Sequence, residues 1–196
     1  MKENQHKMLL RLCVCAMMTA IVFVGNFLRI TFPVPLGGVT SFTLANILCA
    51  LSGLLLGPGC GFLAAGLGSG LYDLTNPAYV MEAPITFLTK GMYGLIAGLV
   101  LYSLFRHKKN AYTSQLCASA CAAIAYMVVY GVKNFFYNGM FIQGFSTAGQ
   151  CWALVVSKIP ATVVNGVLAI IFAPILGVAL TKALHAAHLD RLMEKE

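Results

Sequence analysis

Apolar residues fall in six long runs, separated by short breaks that carry prolines, glycines or clustered polar residues. The first spans about 8 to 30 and ends ahead of Pro33 and Pro35. The second, about 41 to 56, stops at Gly57-Pro58, and the third, about 60 to 74, is short and glycine-rich. The fourth, about 84 to 105, starts at Pro84; the fifth covers about 113 to 137; the sixth, about 149 to 184, contains Pro160 and Pro174. A membrane-spanning helix needs about 20 apolar residues at a rise of about 1.5 Å each, so every run is a candidate span. The expectation is an all-α integral membrane protein, a single six-helix bundle over residues 1–196 with no room for a water-soluble catalytic domain. The sixth run is too long for one straight span, which predicts a re-entrant or kinked approach before Pro160 and the main helix after it. Lys2 and Lys7 give the first run the look of a signal peptide. Its length and the five runs that follow favour an uncleaved helix.

Composition agrees with the pattern. Of 196 residues, 59% are hydrophobic and only 10% charged, against about 25% charged in a soluble domain. An ordinary soluble globule and a disordered chain are both excluded. A formal net charge of +7 raises the question of nucleic acid, and the placement of the charge answers it. Lys2, Lys7, Arg11, Arg106, Lys108, Lys109, Lys182, Arg191 and Lys195, nine of the thirteen basic residues, fall on one side of a six-span arrangement. The opposite loops, about 31 to 40, 75 to 83 and 138 to 148, hold no Lys or Arg. The positive-inside rule then places both termini in the cytoplasm, and the same nine charges explain the basic balance without a nucleic-acid partner. The seven cysteines show no CxxC and no Cys/His pairing at zinc spacing, so they read as small apolar packing residues and not as a metal site.

Four basic residues remain, Arg29, Lys90, Lys133 and Lys158, all towards the outer ends of their spans. Lys90 lies roughly 9 Å deep by helix rise, where a charge must face the bundle interior or a water-filled cavity. Asp73 and Glu82 are the only acids of the outer region. Either they pair with the lysines, or the lysines meet a polar or anionic ligand; spacing leaves both open. Arg29, at a helix end, is expected to snorkel. Tyr126, Tyr130, Asn134 and Asn138 form a ridge at i, i+4 spacing, with Lys133 and Tyr137 on an adjoining face. An amide in lipid needs partners, and Asn165 follows Lys158 by two helical turns on one face. Lys90, Tyr130, Asn134, Lys158 and Asn165 are therefore the candidate binding residues of an outward-facing pocket, with rings to stack on a planar ligand and amides to read its edge. Trp152 is expected to anchor at the membrane interface. The outer loop at 31 to 40, with Pro35, Gly37 and Gly38, is a candidate lid, its Gly37-Gly38 pair permitting the motion. There is no P-loop, HExxH, GxSxG or carboxylate cluster. These are binding groups without a catalytic constellation, which points away from an enzyme, a metal site or a covalently held cofactor. Close glycine spacing around Gly53–Gly70 and Gly91–Gly98, and the pairs Ala16/Ala20 and Ala118/Ala122, predict tight helix packing.

The stretches Gly53-Leu-Leu-Leu-Gly-Pro58, Gly66-Leu-Gly-Ser-Gly-Leu-Tyr-Asp73 and Ala83-Pro-Ile-Thr-Phe-Leu-Thr-Lys-Gly91 resemble the substrate-binding S components of energy-coupling factor (ECF) transporters. They are most similar to the branch associated with riboflavin and with pyrimidine or pyridine vitamins. Ile30–Gly38 resembles that branch's first outer loop, and Lys158-Ile-Pro-Ala followed by Asn165 its last helix. Ser41–Asn46 reads SFTLAN where the branch often carries a Gly-Asp pair. The resemblance implies high-affinity capture of a vitamin or precursor, of the riboflavin, hydroxymethylpyrimidine/thiamine or pyridoxine type, at a bacterial cell membrane. It also implies partnership with a transmembrane scaffold subunit and two cytoplasmic ATPases, which would explain the missing P-loop. The family's AxxxA scaffold contact maps onto Ala16 and Ala20. The rival reading is a self-sufficient secondary transporter or channel, motivated by the intramembrane charges. No internal repeat relates residues 1–98 to 99–196, as an inverted-repeat carrier would often show.

Overall fold

The structure, a computed structural model, describes residues 2–33, 39–104 and 111–186. The first apolar run forms α1 (Lys2–Phe27). The chain then makes an antiparallel pair of strands, β1 (Arg29–Pro33) and β2 (Val39–Thr43), with Arg29 opposite Thr43 and Pro33 opposite Val39. The mostly helical structure agrees with the all-α expectation; within it the ends of the outer loop form a short ladder, and the second helix starts at Ala45 rather than at 41. β-Branched and aromatic residues supply the local reason. The rings of Phe32 and Phe42, diagonal neighbours across the ladder, meet edge to face at 5.3 Å. Pro35, Gly37 and Gly38, the candidate lid residues, lie outside the described residues.

The helical segment α2 (Ala45–Thr75) is interrupted at Gly57, whose φ of 80° suits a residue without Cβ, and Pro58 follows without an N–H to give. The two arms double back on one another. Ser52 Oγ donates to Gly61 O at 3.3 Å, and Cys49 Sγ lies 3.7 Å from Ser69 Oγ, although residues twenty apart on a straight helix would be about 30 Å distant. The runs expected over 41–56 and 60–74 are these two arms. Their approach depends on missing side chains, since a Cβ on Gly61 would lie 2.6 Å from Gly53 Cα. The next helix, α3 (Ala83–Leu99), follows a 3₁₀ turn (Val80–Glu82) and ends in a π-helical turn (Val100–Leu104). It packs on both arms with the same economy: a Cβ on Gly98 would lie 2.5 Å from Pro58 N.

The fifth run forms α4 (Ala111–Val132), which widens into a π-helix over Lys133–Ile142 and so extends past the boundary expected near 137. The last run is α5 (Ala148–Ala186), continuous through Pro160 and Pro174. No re-entrant segment precedes Pro160. Pro174 frees the carbonyl of Ile170 four residues back, and Ser119 Oγ of α4, which donates to Leu116 O at 3.0 Å, lies 3.5 Å from that oxygen. Among the described residues, five helical segments are long and apolar enough to cross a membrane. Val22, Leu54, Tyr93, Ala97, Ala118, Ala122 and Ala169 form the buried core, while large apolar side chains such as Ile21, Val24, Leu63 and Ile124 face outwards. An exterior of this kind is what a bilayer solvates.

Candidate functional site

Polar side chains concentrate at the end of the bundle opposite Gly57-Pro58. Arg11, an exposed residue beside Pro58, marks the other end. At the polar end a cleft opens between β2, both ends of α2, the start of α3, the end of α4 and the first half of α5. The cavity it encloses has a volume of about 70 Å³, small beside the roughly 300–1,000 Å³ of drug-sized ligand sites, so a ligand of that size needs the cleft to widen at its mouth.

Helix α3 contributes Thr86, Thr89 and Lys90 to the cleft, with Tyr93 buried beneath them on the same inward face. Lys90 is only 8% exposed and donates to Asn46 Oδ1 of α2. Its Nζ lies 5.0 Å from the Tyr126 ring centroid, a cation–π arrangement. Tyr93 and Tyr126 stack at 4.8 Å and 14°, and Tyr126 and Tyr130 at 5.6 Å and 30°, so the expected tyrosine ridge is a column of three rings. Tyr126 and Tyr130 face the cleft.

Below the tyrosines, the wider π turn carries Lys133 and Asn134 inward together although they are adjacent in sequence. Lys133 pairs with Glu82 at 2.5 Å and donates to Thr86 at 3.2 Å. Asn134 Oδ1 accepts from Lys158 Nζ and from Asn138 Nδ2, both at 2.9 Å, and its own Nδ2 donates to Tyr130 O. Asn138 also reaches Glu82 Oε1 at 3.3 Å. Asn134 is thus a junction: it fixes Lys158 from the side, and it borders the α4–α5 groove rather than the cleft itself. Lys158 is 5% exposed and lines the cleft.

Asn165 lines the cleft with both ends of its amide engaged. Oδ1 accepts from Thr43 N at 3.0 Å and Nδ2 donates to Ser41 O at 2.7 Å. It holds β2 against α5 in the manner of a strand partner. Arg29 does not snorkel away from the protein: it turns in, donates twice to Asn26 at 2.9 Å, and lies over the rings of Tyr72 and Tyr79 at 4.2 and 4.9 Å. Burial pushes the Tyr79 phenol above its ordinary value, and the neighbouring Arg29 opposes that shift. Asp73 is buried beside Thr86 at the far end of α2. Ala16 and Ala20 are exposed on α1, away from the cleft, and Trp152 is exposed with its edge against Phe135.

The cleft also uses residues that the sequence alone did not single out for it. Asn26 is a lone amide in the apolar first run, and Asn46 closes the SFTLAN segment. An amide in an apolar run was the available signal for both. Thr86 and Thr89 carried none, because a threonine in a membrane helix commonly bonds its own backbone, as Thr89 does here to Thr86 O.

The sequence profile of the ECF-type riboflavin transporter S component matches residues 7–182. No curated protein matches the chain. Among solved structures, the S component of a bacterial ECF transporter is similar to it with a TM-score of 0.64 and 21% identity, over 89% of this chain and 96% of that one. At that identity the likeness establishes a shared fold. The profile match covers most of the chain and carries the assignment: this is a multi-pass membrane protein that belongs to the family of ECF-type riboflavin transporter S components.

Proposed function

We propose that the chain is the high-affinity capture subunit of an ECF-type importer for a vitamin or vitamin precursor, working in a bacterial cell membrane. The α2 hairpin makes six passes out of the helical segments, both termini face the cytoplasm, and the cleft opens outside. The carrying observation is the cleft itself: buried lysines and stacked tyrosines converge at the end of the bundle whose loops lack Lys and Arg. The family assignment supports the same reading. Lys90 and Lys158 contact the ligand, and Tyr130 offers a ring face. Asn134 acts by aiming Lys158, and Asn165 by holding the hairpin at the mouth, instead of bonding the ligand as the sequence first suggested. The segment with Pro35, Gly37 and Gly38 closes over the site. A scaffold subunit docks at Ala16 and Ala20, and two ATPases supply the energy that this chain has no P-loop to provide.

The test is thermal stabilisation of the detergent-purified chain against B vitamins and their precursors. Ligand at a hundredfold excess over Kd stabilises the native state by about 2.7 kcal/mol. One compound is expected to raise the melting temperature by several degrees while the others do not. A folded protein that responds to none would overturn the capture role, and solute uptake by the chain alone in liposomes would favour a self-sufficient transporter.

A further inference from the structure

The cleft is lined by four cations, Arg29, Lys90, Lys133 and Lys158, and by two carboxylates, Asp73 and Glu82. The sequence holds only four other acids, Glu3, Asp190, Glu194 and Glu196, all within a few residues of the chain ends, and segment 34–38 contains none. No rearrangement of the hairpin can therefore bring another carboxylate to the site. Even with both acids ionised, two positive charges remain without a protein counter-charge.

Their location identifies which groups are left over. Glu82 is taken by Lys133, with which it makes a direct ion pair, and by Asn138. Asp73 bonds Thr86 and feels the charges of Lys133 and Arg29; it and Glu82 reach Lys90 and Lys158, respectively, through space without bonding them. Among the described residues, Lys90 and Lys158 donate hydrogen bonds to amide oxygens alone, of Asn46 and Asn134 respectively, and Lys90 also lies over the Tyr126 ring. An amide oxygen orients an ammonium group without neutralising it, and each ammonium keeps further N–H donors to give. Both are more than nine-tenths buried. A buried cation is costly unless an opposite charge meets it, and an amide in place of a carboxylate leaves that role to whatever enters the cleft.

Resting on the capture reading above, we infer that the cleft is selective for a planar heterocycle bearing an acidic group, a carboxylate or a phosphate, over its neutral counterpart. The ring lies against Tyr130, the end of the tyrosine column, and the anionic group reaches Lys90 and Lys158. The shared chemistry is an oxyanion carried by an aromatic heterocycle, on the ring or on its side chain; whether it is carboxylate or phosphate is decided by the probes.

The experiment measures equilibrium binding to the purified full chain for matched pairs: nicotinate and nicotinamide, orotate and uracil, 4-pyridoxate and pyridoxine, riboflavin 5′-phosphate and riboflavin. In at least one pair the acid is expected to bind about tenfold or more tightly than its partner, as a charge-assisted hydrogen bond implies. Lys158→Met is expected to erase that preference and Lys158→Arg to keep it. Because Lys158→Met disturbs a buried junction, Asn134→Asp provides a second route, setting a protein carboxylate where the amide oxygen now meets Lys158; it is expected to erase the preference as well. Tighter binding of the neutral member, or equal binding of both, overturns the anion inference while leaving vitamin capture intact. Binding of no compound, acid or neutral, overturns both.

Discussion

At the scale of single residues, the site is organised by amides that bond protein groups so that lysines are left to face the cleft. Asn134 shows this most clearly, because one oxygen serves Lys158 and Asn138 while the nitrogen serves the Tyr130 carbonyl. Asn134→Leu, of similar volume, removes all three bonds and leaves Lys158 buried without its partner. The expected cost is about 1–3 kcal/mol of stability, read as a lower melting temperature of the empty protein, together with a loss of ligand affinity of roughly tenfold or more. A Leu variant that melts and binds like the parent would show that Lys158 is positioned by something else. Asn46 offers the matching test from α2, since it is the sole hydrogen-bond partner of Lys90 among the described residues. Asn46→Asp supplies a counter-charge and is expected to stabilise the empty protein while weakening an anionic ligand. Enhanced binding of such a ligand would place Lys90 outside the contact. Both asparagines lay in plain view in the sequence, but only one was linked to the site. Asn134 sits on a ridge with two tyrosines, whereas Asn46 stands alone, and its role depends on a lysine forty-four residues away.

At the scale of elements, glycine and proline placement determines where helices turn and how near they come. The Gly57-Pro58 break was legible because the two residues act locally on φ and on the N–H supply, whatever the tertiary context. The same reasoning expected a re-entrant or kinked approach before Pro160, where α5 is a continuous helix. A proline inside a membrane helix is tolerated where neighbouring helices pack against it, and that packing is something no local pattern displays. The β1–β2 ladder was missed for a similar reason, as its register is held from outside by Asn165. Asn165→Leu is therefore expected to act on the hairpin: faster amide hydrogen exchange at Thr43, and faster ligand release with little change in the association rate. Unchanged exchange across 39–43 would remove the clamp from the mechanism. Glycines divide in the same way between those that permit contact and those that do not. Gly98→Leu at the Pro58 contact has no space and is expected to cost more than about 2 kcal/mol. Gly131 has no neighbour within 4 Å, so Gly131→Ala is expected to be neutral or to stabilise by up to about 1 kcal/mol. A melting series on the two variants distinguishes packing glycines from incidental ones.

At the scale of the whole molecule, the asymmetry of the chain is both electrostatic and steric. Polar interior groups collect at one end, and Arg11 and the Gly57-Pro58 turn mark the other. Between them the exterior is apolar almost everywhere, so most of it has only lipid to meet. Ala16 and Ala20 differ from that background because exposed alanines one helical turn apart leave a shallow strip on α1 where another helix can come close. Equivalent pairs elsewhere are already used: Ala118 and Ala122 are fully buried against the chain's own helices. A strip of small residues left open on the lipid side, in a protein with no ATP-binding motif, fits a docking seam for the subunit that couples it to hydrolysis. Ala16→Trp with Ala20→Trp fills the strip without touching the cleft. In cells that also express a scaffold subunit and its ATPases, the double variant is expected to lose co-purification with them and to lose vitamin uptake. Ligand affinity of the isolated chain should stay within about twofold of the parent, because α1 supplies the cleft only through Asn26 near its far end. Retained uptake would move the docking surface elsewhere on the bundle. Uptake that persists without any ATPase would show the chain to be sufficient by itself, and the open strip would then have to be explained by lipid packing alone.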